Sequence, residues 1–322
     1  MAAASGFDVL AASAVVIVGA PRSGTSWLGK IFDSHPNVLY RFEPDWFDPE
    51  EVATDASVIR GSLSRWIRNR DLRAAGRRPL FAKSWQTRTA HSLRVPLIYA
   101  AAAAGRIGLP VWPIPDLGDT ARTRAVVKSI RLRDGIGAFT EACPEGQGVV
   151  IIRHPCAQAA SLMRGARDGR FEPTKPESDM PYDEARTIAF AARHGTNEKS
   201  FRRLRDAAKY AWSWREFNET ALGSIANRTN ARIVVYEQLC ARPLEEAKAL
   251  LSFTGLSWNA QTERFIARST SYRGHGGYYA VLRNSVDASE RWRSTLSPED
   301  QSAVRAIVRN STLVQYWPDL TT

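Results

Sequence analysis

The residues best equipped to do chemistry lie between Gly19 and Ser26, where the chain reads Gly-Ala-Pro-Arg-Ser-Gly-Thr-Ser. Two glycines permit a tight turn, and Arg22, Ser23, Thr25 and Ser26 surround that turn with donors. Such a set holds an anion. The spacing is close to that of a triphosphate-binding loop, GxxxxGK[ST], in which a Lys reaches the β- and γ-phosphates and the next hydroxyl binds magnesium. Here Thr25 stands at the Lys position, and the cation has moved into the loop as Arg22. The cradle stays basic but loses the group that contacts a γ-phosphate, which implies a nucleotide with a different distal group. To aim backbone N–H groups at that anion, a strand must enter the turn and a helix must leave it. The β-branched run near 15–19 supplies the strand, and Trp27, Leu28, Ile31 and Phe32 recur at helical spacing for the helix.

The segment PRSGTSWL resembles the 5′-phosphosulfate loop of sulfotransferases that use 3′-phosphoadenosine 5′-phosphosulfate (PAPS), in which Arg is an accepted variant of the loop cation. The resemblance implies that Arg22, Ser23, Gly24, Thr25, Ser26 and Trp27 contact the cosubstrate. Such a cosubstrate needs a second pocket for its 3′-phosphate. VVIIRHPCAQAASLMR offers one: a short apolar strand ending at Arg153, Pro155 at a first helical position, and Ser161 on the helix that follows. An Arg fork and a Ser hydroxyl suit a terminal phosphate dianion. This segment resembles the family's 3′-phosphate motif, VRDPR followed by a serine, with His154 in place of the Asp and Cys156 in place of the second Arg.

A group that takes a proton from an attacking hydroxyl is also required. Glu43 follows the strand-like VLYRF run, and its FEP context resembles that of carbohydrate sulfotransferases, where the Glu is the usual candidate base. Partial burial is expected to raise its pKa toward the operating range. His35, in SHPN, reads instead as part of a helix terminator with Pro36. Charge building on the leaving phosphate calls for cations. Of seven lysines, Lys128 in AVVKSIRLR and Lys83 in LFAKSW sit in strand-like contexts that resemble family segments. A Lys at the carboxyl end of a strand in an open α/β sheet lies at the ligand crevice. Arg131 and Arg133 are either solvated or hold an anionic acceptor. YYAVLRNSVDASERWRSTLSPEDQ resembles the family's C-terminal loop, implying that Arg283 closes over the cosubstrate; Trp292 lies beneath it or in the core, and Ser297 with Asp300 reads as a helix cap.

The elements that must position these residues are strands near 15–19, 38–42, 125–129, 149–153 and 232–236, separated by helical stretches. That alternation predicts an α/β fold, P-loop-like, with a mostly parallel central sheet flanked by helices on both faces. Residues 1–322 read as a single sulfotransferase domain, with 48–124 as an acceptor-covering insertion or lid and 167–182 as a polar, proline-containing loop. The net charge of +11 suggests an anionic partner. The arginines look scattered, and the clusters at 60–78 and 202–205 read as solvated helix faces, so nucleic acid is not the expected partner. Cys143, Cys156 and Cys240 lack metal-ligand spacing and read as reduced packing residues. The first apolar run is too short for a membrane span, and the expected compartment is the cytoplasm. Together these features point to sulfuryl transfer from PAPS to a hydroxyl, on a carbohydrate or sugar-bearing metabolite, without a metal. A P-loop kinase or a non-catalytic nucleotide- or RNA-binding protein are the alternatives.

Overall fold

The structure is a computed structural model that describes residues 6–46, 55–171, 182–271 and 289–320. Arg283 and residues 172–181 of the loop expected over 167–182 lie outside the described residues. Five strands form one sheet: β1 (Val15–Val18), β2 (Val38–Phe42), β3 (Arg124–Ser129), β4 (Gln147–Ile152) and β5 (Ala231–Val235), in the order β2-β3-β1-β4-β5. Every pairing is parallel. The strands are short; β1 to β4 are buried along nearly their whole length, as a sheet covered on both faces requires, and the edge strand β5 is half-buried over its first three residues.

Alternation along the strands builds two cores. Val16, Val18, Val127, Val150 and Ile152 face one layer, which includes helices Ala56–Arg68, Gly135–Ala142, Pro155–Arg167 and Asp206–Ile225. Val15, Ile17, Val126, Val149 and Ile151 face the other, which includes helices Thr25–Asp33, Pro243–Phe253 and Ala260–Thr270. The loop after β1 thus leads to a helix on one face, and the loop after the adjacent β4 leads to a helix on the other. A crevice opens between such loops at the carboxyl edge of the sheet.

Between β2 and β3 the chain forms helices Ala56–Arg68, Leu72–Ala75 and Arg88–Arg106. The first packs into the main core through Ile59, Leu63, Trp66 and Ile67, whereas Ala75, Ile98, Ala101 and Ile114 form a small core of their own. Among the described residues no helix is long and apolar enough to cross a membrane.

Candidate active site

The turn after β1 is built to bring backbone close to a bound group. Gly24 has φ +102°, and a Cβ there would lie 2.3 Å from the Tyr236 ring. A Cβ on Gly19 would lie 2.7 Å from the Ile151 carbonyl oxygen and from Ser23 Oγ. Helix Thr25–Asp33 has Gly24 as its N-cap and no side-chain cap. Its first-turn N–H groups therefore keep donor capacity for an anion. Ser23 Oγ is buried and makes no hydrogen bond among the described residues, which a phosphate oxygen would correct. A Gly24→Ala change forces a Cβ into the Tyr236 ring at a φ that disfavours it. It is expected to destabilise the protein by more than about 1 kcal/mol, read as a lower urea midpoint, with loss of nucleotide binding.

The second socket touches the first. Arg153, immediately after β4, donates from Nη1 to the Arg22 carbonyl oxygen at 3.0 Å, and its guanidinium lies 4.6 Å from the centre of the Tyr236 ring. Arg22 Nε donates to Ser161 Oγ at 3.1 Å. The sequence thus brings Arg22, Arg153 and Ser161 together across a span of 139 residues. Arg22 itself has φ +71°, in the left-handed region unusual for a side-chain-bearing residue. His154, standing where the family motif has Asp, takes over the capping role: its Nδ1 accepts from Cys156 N at 3.2 Å at the start of helix Pro155–Arg167. Burial pulls its pKa down to about 4, which keeps the imidazole neutral and able to accept. Its ring stacks on Trp292 at 4.5 Å, so Trp292 is a core residue. Cys156 is buried, and burial pushes its thiol up to about 12.

Two residues not singled out from the sequence complete this corner. Glu237 Oε1 accepts from His154 N at 3.1 Å, and Oε2 accepts from Trp317 Nε1 at 3.0 Å. Tyr236 is the shared floor under Gly24 and Arg153. Both follow β5 directly, a position at the carboxyl edge that strand prediction alone could have flagged.

Glu43 lies just past β2, next to Lys128 near the end of β3; Phe42 and Lys128 are in register. Its N–H donates to the Lys128 carbonyl oxygen at 2.7 Å, fixing φ at +45°. Arg22 and Glu43 are two of three non-glycine residues with positive φ among the described residues, so backbone strain concentrates at this edge. Lys128 Nζ donates to Glu43 Oε1 and Arg73 Nη2 donates to Oε2. Burial pushes the Glu43 carboxyl up, but Lys128 and Arg73 outweigh it, and the group sits below its ordinary range. The upward shift expected from burial is thus reversed by two cations. Arg73 comes from the region between β2 and β3, where no periodic signal linked it to Glu43. Burial pulls the Lys128 ammonium down, and the Glu43 charge opposes that fall.

Around this pair, the Arg73 guanidinium sits 3.5 Å over the Trp46 ring, and Arg131 donates to the Trp46 carbonyl oxygen at 3.0 Å. Asp45 is buried and accepts from Ser129 Oγ, which itself accepts the N–H groups of Arg131 at 3.0 Å and Leu132 at 3.1 Å. Asp45 therefore fastens the Glu43 turn to the end of β3. Arg133 is committed elsewhere, donating to Glu216 at 3.1 Å.

Lys83 is not brought to this crevice. It lies in an irregular segment rather than a strand, donating to Asp33 Oδ1 at 2.9 Å and to the His35 carbonyl oxygen at 3.3 Å. Those partners sit at the far end of helix Thr25–Asp33, roughly 13 Å of helix away from the anion loop. Lys83 reads as a buried structural cation whose apolar neighbours imitated a strand. His35 is likewise structural, with Nε2 2.9 Å from the Ser257 carbonyl oxygen. Trp27 is mostly buried, donates to Ser269 Oγ at 3.0 Å and packs edge-on against Tyr236, supporting the loop from below. Among the described residues no cluster of three or more His, Cys, Asp or Glu side chains is placed to hold a metal ion.

A parallel sheet that delivers a glycine-bounded basic loop, an Arg–Ser socket and a carboxylate–lysine pair to one edge defines a P-loop-like group-transfer site. The model of the sulfotransferase family matches residues 14–260, and the chain belongs to that family; it is a sulfotransferase enzyme. Human carbohydrate sulfotransferase 6 (Homo sapiens) is 25% identical over 310 residues, covering 88% of this chain and 75% of that protein. Carbohydrate sulfotransferase 5, also human, is 25% identical over 313 residues, covering 88% and 72%. Among solved structures, the sulfotransferase domain of the Synechococcus PCC 7002 olefin synthase is 14% identical with a TM-score of 0.46, covering 92% of this chain and 94% of that chain.

Proposed function

We propose that this sulfotransferase takes its sulfuryl group from PAPS and transfers it to a hydroxyl of a carbohydrate or sugar-bearing metabolite. The observation that carries the reading is the junction of the two anion sockets, Arg22 bonded through its side chain to Ser161 and through its carbonyl to Arg153. A nucleotide with phosphates on both the 5′ and 3′ oxygens needs such adjoining sockets. The orphaned Ser23 hydroxyl and the glycine-lined turn fit the 5′ end. Arg153 and Ser161 fit the 3′-phosphate. PAPS supplies an activated sulfuryl group and leaves as adenosine 3′,5′-bisphosphate.

The chain's own residues then divide the remaining work. Ser23, Thr25, Ser26 and the first-turn N–H groups hold the 5′-phosphate, and Arg22 and Lys128 neutralise charge on the leaving oxygen. Glu43 accepts the proton of the acceptor hydroxyl. An anion beside Lys128 shares that ammonium, which weakens its hold on Glu43 and raises the carboxylate's affinity for a proton. Trp46, partly exposed and flanked by Arg73 and Arg131, offers an aromatic surface beside the base, which suits a sugar ring. The names of the relatives, carbohydrate sulfotransferases, support the same acceptor class. The three cysteines form no disulfide and are buried, which fits a reducing compartment, and we place the protein in the cytoplasm.

Mass spectrometry of a mixed hydroxyl panel incubated with PAPS tests the reading. A sulfated sugar product is expected; transfer only to non-sugar hydroxyls removes the acceptor class, and no transfer to any hydroxyl removes the reaction.

A further inference from the structure

Between residues 56 and 115 the sequence holds eleven Lys and Arg but one acid, Asp71, so this stretch carries ten of the eleven net positive charges. Four of these cations are met by acids from elsewhere in the chain, Arg68 by Asp8, Arg70 by Asp116, Arg73 by Glu43 and Lys83 by Asp33, which leaves the excess on the others, exposed Arg78, Arg88 and Arg106 among them. The same region holds most of the exposed large apolar side chains: of eleven that are exposed among the described residues, seven fall between Leu93 and Trp112. On helix Arg88–Arg106, Ile98, Ala101 and Ala104 face inward. Its outward side from Leu93 to Ala103 presents Leu93, Pro96, Leu97, Tyr99, Ala100 and Ala103, all exposed and none charged. Arg94 is turned inward, donating to the carbonyl oxygens of Ala75 at 2.6 Å and Pro115 at 3.0 Å. After the helix the chain folds back along it. Ile107 is 73% exposed, and Leu109, Val111 and Trp112 extend the apolar strip. Arg88 and Arg106 are exposed at the two ends of the helix, and the Arg78 guanidinium lies over the Tyr99 ring at 5.1 Å.

An apolar strip ringed by arginines and lacking acids needs a partner that is apolar within and anionic at its edge. We infer that the surface formed by Leu93–Trp112 with Arg78, Arg88 and Arg106 docks on an anionic lipid bilayer. Aliphatic chains enter below the headgroups, Tyr99 and Trp112 sit at the interface, and the guanidinium groups meet lipid phosphates. A second copy of the chain would bring the same positive charge to the same face, and like charges oppose that contact. Nucleic acid matches the arginines but offers no apolar counterpart for Leu97, Ile107 and Val111. The inference is independent of the donor and acceptor proposed above.

Co-sedimentation of the full chain with vesicles tests it. Binding is expected to phosphatidylcholine vesicles containing phosphatidylglycerol, to weaken with added salt, and to be absent on phosphatidylcholine alone. Each of R78Q, R88Q and R106Q is expected to weaken binding about fivefold, and the triple variant about a hundredfold. I107N/W112N, at exposed positions, is expected to abolish sedimentation while leaving transfer to a soluble acceptor unchanged. Failure of the parent to bind either vesicle, equal binding by parent and variants, or a parent dimer that these substitutions dissociate would each overturn the inference.

Discussion

Glu43→Gln is expected to lower kcat for sulfuryl transfer by about a hundredfold to ten-thousandfold, the range lost when a positioned proton acceptor is removed. Gln keeps an oxygen for Lys128 and an amide near Arg73, so the loss reads chemistry and not collapse. Glu43→Ala is a different experiment. It strands an ammonium that is 1% exposed, and removing one partner of a buried pair costs about 3–5 kcal/mol. The Gln variant also moves the pH profile in a definite direction. Burial pulls Lys128 down, and the Glu43 charge is the main force opposing it. Without that charge the ammonium loses its proton at lower pH, so the alkaline limb of kcat/KM shifts downward. On the acid side, the Glu43 carboxyl is held below its ordinary range. The stability its ion pair contributes is therefore present above the unfolded-state value and is lost as pH falls through the depressed one. A Gln variant with parental kcat and an unmoved alkaline limb removes Glu43 from the reaction.

The second large effect falls on the 3′ socket. Arg153→Ala is expected to raise the KM for PAPS by about ten- to a hundredfold, since hydrogen bonds to charged groups contribute about 1.5–3 kcal/mol. The parent should bind adenosine 3′,5′-bisphosphate more tightly than 5′-AMP, and the variant should lose most of that preference. A merely structural role for Arg153 weakens both nucleotides alike. Arg153→Lys restores the charge but not the fork, and partial recovery is the expected outcome. Equal KM values for parent and Arg153→Ala would place the 3′-phosphate elsewhere.

What was legible in the sequence followed from local rules. Five short β-branched runs separated by helical stretches gave the strands within about two residues, because buried parallel strands are written as continuous apolar segments. The handovers from strand to helix at the glycine turn and at the Arg153–Ser161 segment were readable because each pairs an apolar run with a turn and a helical spacing. Lys83 shows the limit of that logic: its apolar neighbours matched a strand, yet the segment is irregular and its ammonium serves Asp33. Arg73 shows the other limit. Its contact with Glu43 depends on how the region between β2 and β3 folds back on the sheet, and no spacing in the chain encodes that. The direction of the Glu43 shift escapes the sequence for the same reason: burial is legible there, and the second cation is not.

The most direct test of the central claim is the thermal stabilisation of the whole protein by three nucleotides at equal concentration. If adjoining sockets clamp the two phosphates of one adenosine, adenosine 3′,5′-bisphosphate raises Tm well above the shift given by 5′-AMP and by ATP with magnesium. Stabilisation by ATP with magnesium that equals or exceeds it would contradict the account.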